Sequence, residues 1–179
     1  MTATAAPESI TVARANAPHV AVIGAGLAGL VTALRLRRAG ARVTLVTKGV
    51  GGLQLGHGTI DLWGYAPERV TNPAKGIEAF AAKHPEHPYA KIGVEAVRSG
   101  VELLSEILGE KLVNGSADEN VLVPTAVGAA RPTAFIPESM KAGVLHGDAK
   151  MVIIGVAQYK DFHPSLIAQN LSRLSLIHI

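Results

Sequence analysis

Cysteine is absent from the 179 residues, which excludes disulfides, cysteine-held iron–sulfur clusters and thiolate zinc sites from the chemistry of this chain. Aromatic residues are scarce as well, at 4%, so surfaces for stacking bases are missing. Lys and Arg number 17 against 14 Asp and Glu, giving a net charge of +3. The pI near 9.3 comes with no dense basic run, and a nucleic-acid partner is excluded on these grounds. No apolar run approaches the ~20 residues of a membrane helix. The first stretch, Met1–Ala17, has no basic segment followed by an apolar one and does not read as a signal peptide. Its Ala, Thr, Pro and Ser content predicts an unstructured leader over 1–18 and, with the rest, a soluble cytoplasmic protein. No Gly-x-Ser-x-Gly elbow, P-loop or Cys/His dyad is present, so hydrolase and phosphotransferase chemistry has no support.

What the chain does contain is 48% hydrophobic residues, drawn mainly from Ala, Val, Leu and Ile, the makings of close-packed strands and helices. Val20–Ile23 is a short β-branched run of the kind buried on both faces of a sheet. Leu27, Leu30, Val31 and Leu34 follow at helical spacing, and Arg37, Arg38 and Gly40 form a helix stop. Val43–Val46 is a second strand, so the segment predicts one βαβ unit with parallel strands and a right-handed crossover.

Beyond it, Lys48–Tyr65 holds glycines at 49, 51, 52, 56, 58 and 64 and reads as a long loop. Asn72 and Pro73 predict the cap and first turn of a helix through Lys83, whereas His84–Tyr89, with two prolines, is expected to be non-helical. Val94, Val97, Val101, Leu104, Ile107 and Leu108 mark one face of a long amphipathic helix. Lys111–Thr125 predicts two short strands around a polar turn at 115–120, and Ala126–Gly147 is expected to be irregular. Met151–Val156 reads as another buried strand and Pro164–Leu174 as another helix. The expected organisation is an α/β, Rossmann-type dinucleotide-binding domain over 19–145 and the start of a second α/β region over 146–173.

The chemistry-bearing motif is Gly24-Ala25-Gly26-Leu27-Ala28-Gly29, placed directly after a strand and opening a helix. That context is what gives a G-x-G-x-x-G pattern meaning. Gly24 permits the tight turn, Gly26 leaves room for a pyrophosphate, and Gly29 lets helix and strand approach. The helix start offers unpaired N–H groups and a partial positive charge to the phosphates. The plainer alternative is a tight βα turn without a ligand. Where an acidic residue usually meets the ribose hydroxyls, about 20 residues on, this chain has Thr47 and Lys48. A threonine hydroxyl can still bond a ribose, but no carboxylate is there to repel a 2′-phosphate, so nucleotide choice is not decided at this position.

Gly24–Gly40 with Val43–Lys48 resembles the FAD fingerprint of the fumarate reductase and succinate dehydrogenase flavoprotein superfamily, in which Ser-Lys or Thr-Lys often replaces the acid. The glycine-rich stretch Gly49–Asp61 is similar to the loop those proteins lay over the flavin. More specifically, the chain resembles the family of B subunits of anaerobic glycerol-3-phosphate dehydrogenase. The segments that carry this likeness are Val46-Thr47-Lys48-Gly49, Gly58-Thr59-Ile60-Asp61-Leu62, His87-Pro88-Tyr89 with Gly93, and Val152-Ile153-Ile154-Gly155 leading to Asp161-Phe162. The resemblance implies FAD, with FMN as the alternative commonly linked with that family, and oxidation of sn-glycerol 3-phosphate to dihydroxyacetone phosphate with electrons passed towards quinone. It further implies a catalytic partner flavoprotein subunit, an iron–sulfur membrane subunit and a peripheral position at the inner face of the plasma membrane. Two other readings stand beside it: another FAD-dependent oxidoreductase of the superfamily, and a non-catalytic scaffold that binds flavin structurally. The family's chains are longer and supply a closing C-terminal segment that is not in this sequence.

Two side chains are weak catalytic candidates. His57, in the glycine-rich loop, would hydrogen-bond the isoalloxazine or move a proton if the loop lies against it; otherwise it is an exposed loop histidine. Arg131, between Gly128 and Pro132, has the geometry to clamp a substrate phosphate or to make a surface ion pair. His84 and His87 lie three apart on a Pro-containing segment with no third ligand nearby in sequence, so no metal site is expected.

The last six residues, Leu174-Ser175-Leu176-Ile177-His178-Ile179, are what the common transposase adapter CTGTCTCTTATACACATC encodes in this frame. The expectation is that the natural sequence departs near Arg173 and that 174–179 is sequencing read-through. Genomic DNA should then continue the reading frame into a further domain; a stop codon directly after Ile179 would overturn this.

Overall fold

The computed structural model describes residues 16–147, 149–174 and 177–178. Most of the expected leader, and Ser175, Leu176 and Ile179 of the expected read-through, lie outside the described residues. The chain separates into two compact units, 1–57 and 58–179, divided within the glycine-rich loop. The 140–150 stretch lies inside the second unit.

The first unit is the βαβ element anticipated from periodicity. Strand β1 (His19–Ile23) and strand β2 (Arg42–Val46) pair in parallel, with Val20 opposite Val43 and Ile23 opposite Val46, and helix α1 (Leu27–Arg38) connects them. The helix ends where its sequence requires. Gly40 takes φ +85°, the Ala41 N–H bonds the Leu36 carbonyl and the Gly40 N–H bonds that of Arg37. Those two bonds are a Schellman stop, and Arg35, Arg37 and Arg38 place positive charge at the negative end of the helix. The expectation that β1 is buried on both faces is corrected: Val22 is buried, but Ile23 is 86% exposed and Leu45 and Val46 are exposed too. A two-stranded sheet with one helix covers one face only.

The second unit begins with helices. Asn72 caps α2 (Pro73–Ala81), its side chain accepting the Lys75 N–H at 2.9 Å, with Pro73 in the first turn. A short helix α3 (Pro88–Ile92) corrects the expectation that this prolyl segment is non-helical throughout. Pro88 sits at a first-turn position, where its missing N–H costs nothing, and His87 caps it by accepting the Tyr89 N–H at Nδ1. Helix α4 (Val94–Leu108) follows as expected and buries Val101, Leu103 and Leu104.

The strands of this unit pair differently from the sequence reading. Strand β3 (Asn114–Gly115) joins β6 (Phe135–Ile136), and β4 (Val121–Pro124) joins β5 (Ala130–Thr133), both antiparallel. The region 126–147, expected to be irregular, thus supplies two strands. Pro132 is tolerated because β5 has only one ladder neighbour, so its ring and missing N–H disturb no second ladder. Met151–Val156, expected as a buried strand, lies outside any strand or sheet among the described residues. Strands β7 (Ala149–Lys150) and β8 (Ile177–His178) pair in parallel, flanking helix α5 (Pro164–Ser172).

Two apolar clusters hold the unit. One joins Ala130, Leu145, Ile167 and Leu171, with Met151, Ile153 and Phe162 against it. The other joins Val101, Val113, Ala117, Ala134 and Phe135, with Ile60 and Leu62 against it. Arg98 on α4 adds a bidentate pair to Asp118, both contacts 2.7 Å, and this hydrogen-bonded cation holds the Asp118 carboxyl below the usual carboxylate range.

Candidate dinucleotide site

The turn between β1 and α1 follows from its glycines. Gly24 adopts φ +104°, a conformation that L side chains rarely take, and its N–H donates to the Val46 carbonyl at 2.8 Å. That bond fastens the turn to the end of the neighbouring strand. A Cβ on Gly29 would lie 2.0 Å from the Gly24 carbonyl oxygen, so helix and turn meet only because the position is glycine. A Cβ on Gly26 would meet nothing within 4 Å and would project into open space.

Helix α1 has no side-chain cap and no acidic residue in its first turn. Its first N–H groups are therefore the orphan donors of a helix start, backed by the positive end of the helix dipole. A phosphate satisfies both requirements, and the glycines keep side chains from its path. The turn fits a dinucleotide pyrophosphate on these counts.

One contributor went unread in the sequence. Gly51, at φ +70°, packs on the peptide joining Ala25 to Gly26: a Cβ there would sit 2.5 Å from the Ala25 oxygen and 2.8 Å from the Gly26 nitrogen. The chain after β2 thus folds back onto the glycine turn. Density of glycine in the loop was the available clue, but nothing in it singled out position 51.

The other anticipated residues are placed as follows. Thr47 turns its hydroxyl into its own loop, donating to the Gly49 carbonyl and accepting the Gly49 N–H at 3.1 Å. Lys48 and His57 are exposed in the first unit. Arg131, in the second unit, forms an ion pair with Asp61 and donates to Thr59 Oγ1 at 3.0 Å. These contacts tie β5 to the Thr59–Asp61 segment. Backbone bonds extend the same tether: the Ile60 N–H reaches the Phe135 carbonyl at 3.0 Å, and the Ile60 carbonyl accepts from Ala134 and Phe135. Tyr89 completes it by donating its hydroxyl to the Leu62 carbonyl at 2.8 Å; burial raises the pKa of that phenol.

The paired histidines serve packing. His84 stacks on Phe80 at 4.1 Å, and His87 meets Trp63 and Phe80 edge-on. Among the described residues, no three His, Cys, Asp or Glu side chains gather as a metal site, and no helix is long and apolar enough to cross a membrane.

A glycine-built turn on a parallel βαβ unit is the architecture of the Rossmann-type dinucleotide-binding class. The FAD binding domain family matches residues 19–175, and the chain belongs to that family. FAD is accordingly its cofactor, as the glycine motif implied. Among curated proteins the chain is similar to the B subunit of anaerobic glycerol-3-phosphate dehydrogenase from Mannheimia succiniciproducens, 35% identical over 86% of this chain and 37% of the relative. The protein of the same name from Yersinia enterocolitica is 35% identical over 85% of this chain and 38% of its own length. That from Actinobacillus succinogenes is 34% identical over 85% of this chain and 37% of the relative. The resemblance drawn from the four sequence segments is thereby upheld. The chain spans little more than a third of the length of these relatives. No solved structure matches it with significance.

Gly29→Ala isolates the close approach, because it adds one methyl 2.0 Å from a backbone oxygen. The expected cost is about 1–3 kcal/mol, read as a lowered urea midpoint of the full-length protein. An unchanged midpoint would show that turn and helix separate without penalty.

Proposed function

We propose that the chain forms the pyrophosphate-binding end of a flavin-dependent oxidoreductase subunit that oxidises sn-glycerol 3-phosphate to dihydroxyacetone phosphate and passes electrons towards quinone. One observation carries the reading: the uncapped, acid-free start of α1 opens behind a glycine turn in a chain whose relatives are named as B subunits of anaerobic glycerol-3-phosphate dehydrogenase. In this assignment the N–H groups from Ala25 to Gly29 receive the two phosphates, and Gly24 and Gly29 hold the turn in shape. Thr47 and Lys48, just past β2, are assigned to the adenosine end, where the Thr47 hydroxyl reaches a ribose only by exchanging its bonds to Gly49 and the lysine tolerates added phosphate. FAD supplies the two-electron acceptor for the C2 hydrogen of the substrate, and the protein supplies binding and orientation.

His57 is assigned as the proton-handling candidate of the glycine-rich loop. Arg131 has its guanidinium engaged by Asp61 and Thr59, so its assigned role is to hold that loop segment; it binds substrate phosphate only by exchanging Asp61 for it. The partners in this reading are a catalytic flavoprotein subunit and an iron–sulfur membrane subunit, which would keep a cytoplasmic protein peripheral at the inner face of the plasma membrane. FMN is the alternative cofactor, but a turn built for a pyrophosphate favours FAD.

In the full-length complex, glycerol 3-phosphate should bleach the flavin absorbance, and Gly26→Val, which puts a branched side chain in the phosphate path, should yield protein without flavin. A flavin that stays oxidised with this substrate refutes the activity and favours a scaffold role; a normal yellow spectrum in the variant refutes the phosphate site alone.

The 179-residue chain by itself should behave differently. Large apolar residues such as Ile23, Val152 and Ile154 are exposed. Poor solubility, weak flavin retention and no turnover of glycerol 3-phosphate with an artificial acceptor are expected. A soluble, active monomer with stoichiometric flavin would contradict this.

A further inference from the structure

Two separate features require glycine at position 51. Its φ of +70° lies where L side chains are rare, and its Cα rests against the Ala25–Gly26 peptide. A Cβ here would stand 2.5 Å from the Ala25 oxygen, 2.7 Å from the Ala25 carbonyl carbon and 2.8 Å from the Gly26 nitrogen. Three atoms of one peptide are met at nearly equal distance, so the contact is with that peptide as a whole. Local bonds on both sides set where Gly51 lies. Before it, the Thr47 hydroxyl donates to the Gly49 carbonyl and accepts the Gly49 N–H at 3.1 Å, bending the chain directly after β2. After it, Leu53–Leu55 forms one 3-10 turn, in which the Leu55 N–H donates to the Gly52 carbonyl at 3.0 Å and the Gly56 N–H to that of Leu53 at 3.2 Å.

The peptide that Gly51 covers has little else to restrain it. Glycines flank Ala25 on both sides, and a Cβ on either Gly24 or Gly26 would meet nothing within 4 Å. The turn is fastened one residue earlier, by the Gly24 N–H to Val46 bond, and again at Gly29, where the helix meets the Gly24 carbonyl. Between those two points, rotation of the Ala25–Gly26 peptide would swing the Gly26 N–H and the Ala25 carbonyl in opposite directions. The Gly51 backbone stands against that rotation from one side.

We propose that Gly51 is a positioning residue for the FAD pyrophosphate, holding the Ala25–Gly26 peptide so that the Gly26 N–H is set for the phosphates before the cofactor arrives. The role rests on the phosphate binding proposed for this turn. Gly51 acts through the turn: a peptide already fixed loses less freedom on binding, and that saving appears as affinity for the ADP half of the cofactor. Any side chain at position 51 forces the loop off the turn or rotates the peptide. Binding then has to restore the original arrangement against the overlap.

The test uses the full-length flavoprotein, stripped of cofactor and titrated with FAD and, separately, with ADP, which carries the pyrophosphate without the flavin. Gly51→Ala should raise the Kd for both ligands together, by about ten- to a hundred-fold. The melting temperature of the stripped protein should stay within about 3 °C of the wild type, because the free loop can move aside. Gly51→Asn separates the contact from the backbone conformation, since Asn takes positive φ more readily than other side chains but still brings a Cβ. Its affinity should remain weakened, and it decides the matter if the alanine variant fails to fold. Unchanged affinity in Gly51→Ala, recovery in Gly51→Asn, loss for FAD without loss for ADP, or a larger fall in melting temperature each overturns the role of Gly51. Gly26→Val keeps this apart from failure of the phosphate site. Flavin retained in Gly26→Val removes the site itself, whereas flavin lost there and bound normally by Gly51→Ala removes the positioning role alone.

Discussion

The contact between the Gly29 Cα and the Gly24 carbonyl governs the first unit. With 2.0 Å available where a Cβ would stand, the start of α1 is pressed against the end of β1. That proximity aims the helix N-terminus at the space beyond the strand ends, and it leaves the first-turn donors without side-chain partners. The Gly24 N–H to Val46 bond ties the same turn to β2, so the ends of both strands and the helix start share one small region. A parallel βαβ unit places its ligand there because helix dipole, orphan donors and strand termini coincide.

The segment after β2 is held by contacts of two kinds. Near its beginning, Gly51 rests on the Ala25–Gly26 peptide with no room for a side chain. Near its end, Thr59, Ile60, Asp61 and Leu62 are bonded by Arg131, Phe135, Ala134 and Tyr89.

The place where the second unit departs from ordinary expectation is also informative. Its antiparallel pairs are short and its interior is provided by α4, α5 and small strands, whereas Met151–Val156 keeps strand-like alternation without a sheet. Alternation without a ladder shows that packing against α5 is enough to set which face turns inward.

Sequence by itself determined the βαβ unit, the glycine turn, the Asn72 and Pro73 helix start and the long α4, because each depends on interactions within a few residues: helical periodicity, caps and positive-φ glycines. The family was legible for the same reason, since short ordered motifs carry it. Tertiary structure alone decided that β3 joins β6, that β4 joins β5, that Gly51 closes on Ala25, and that Arg131 is committed to Asp61, 70 residues away in sequence. Those pairings depend on which distant segments meet, and neither the spacing of apolar residues nor the chemistry of a single side chain encodes its partner.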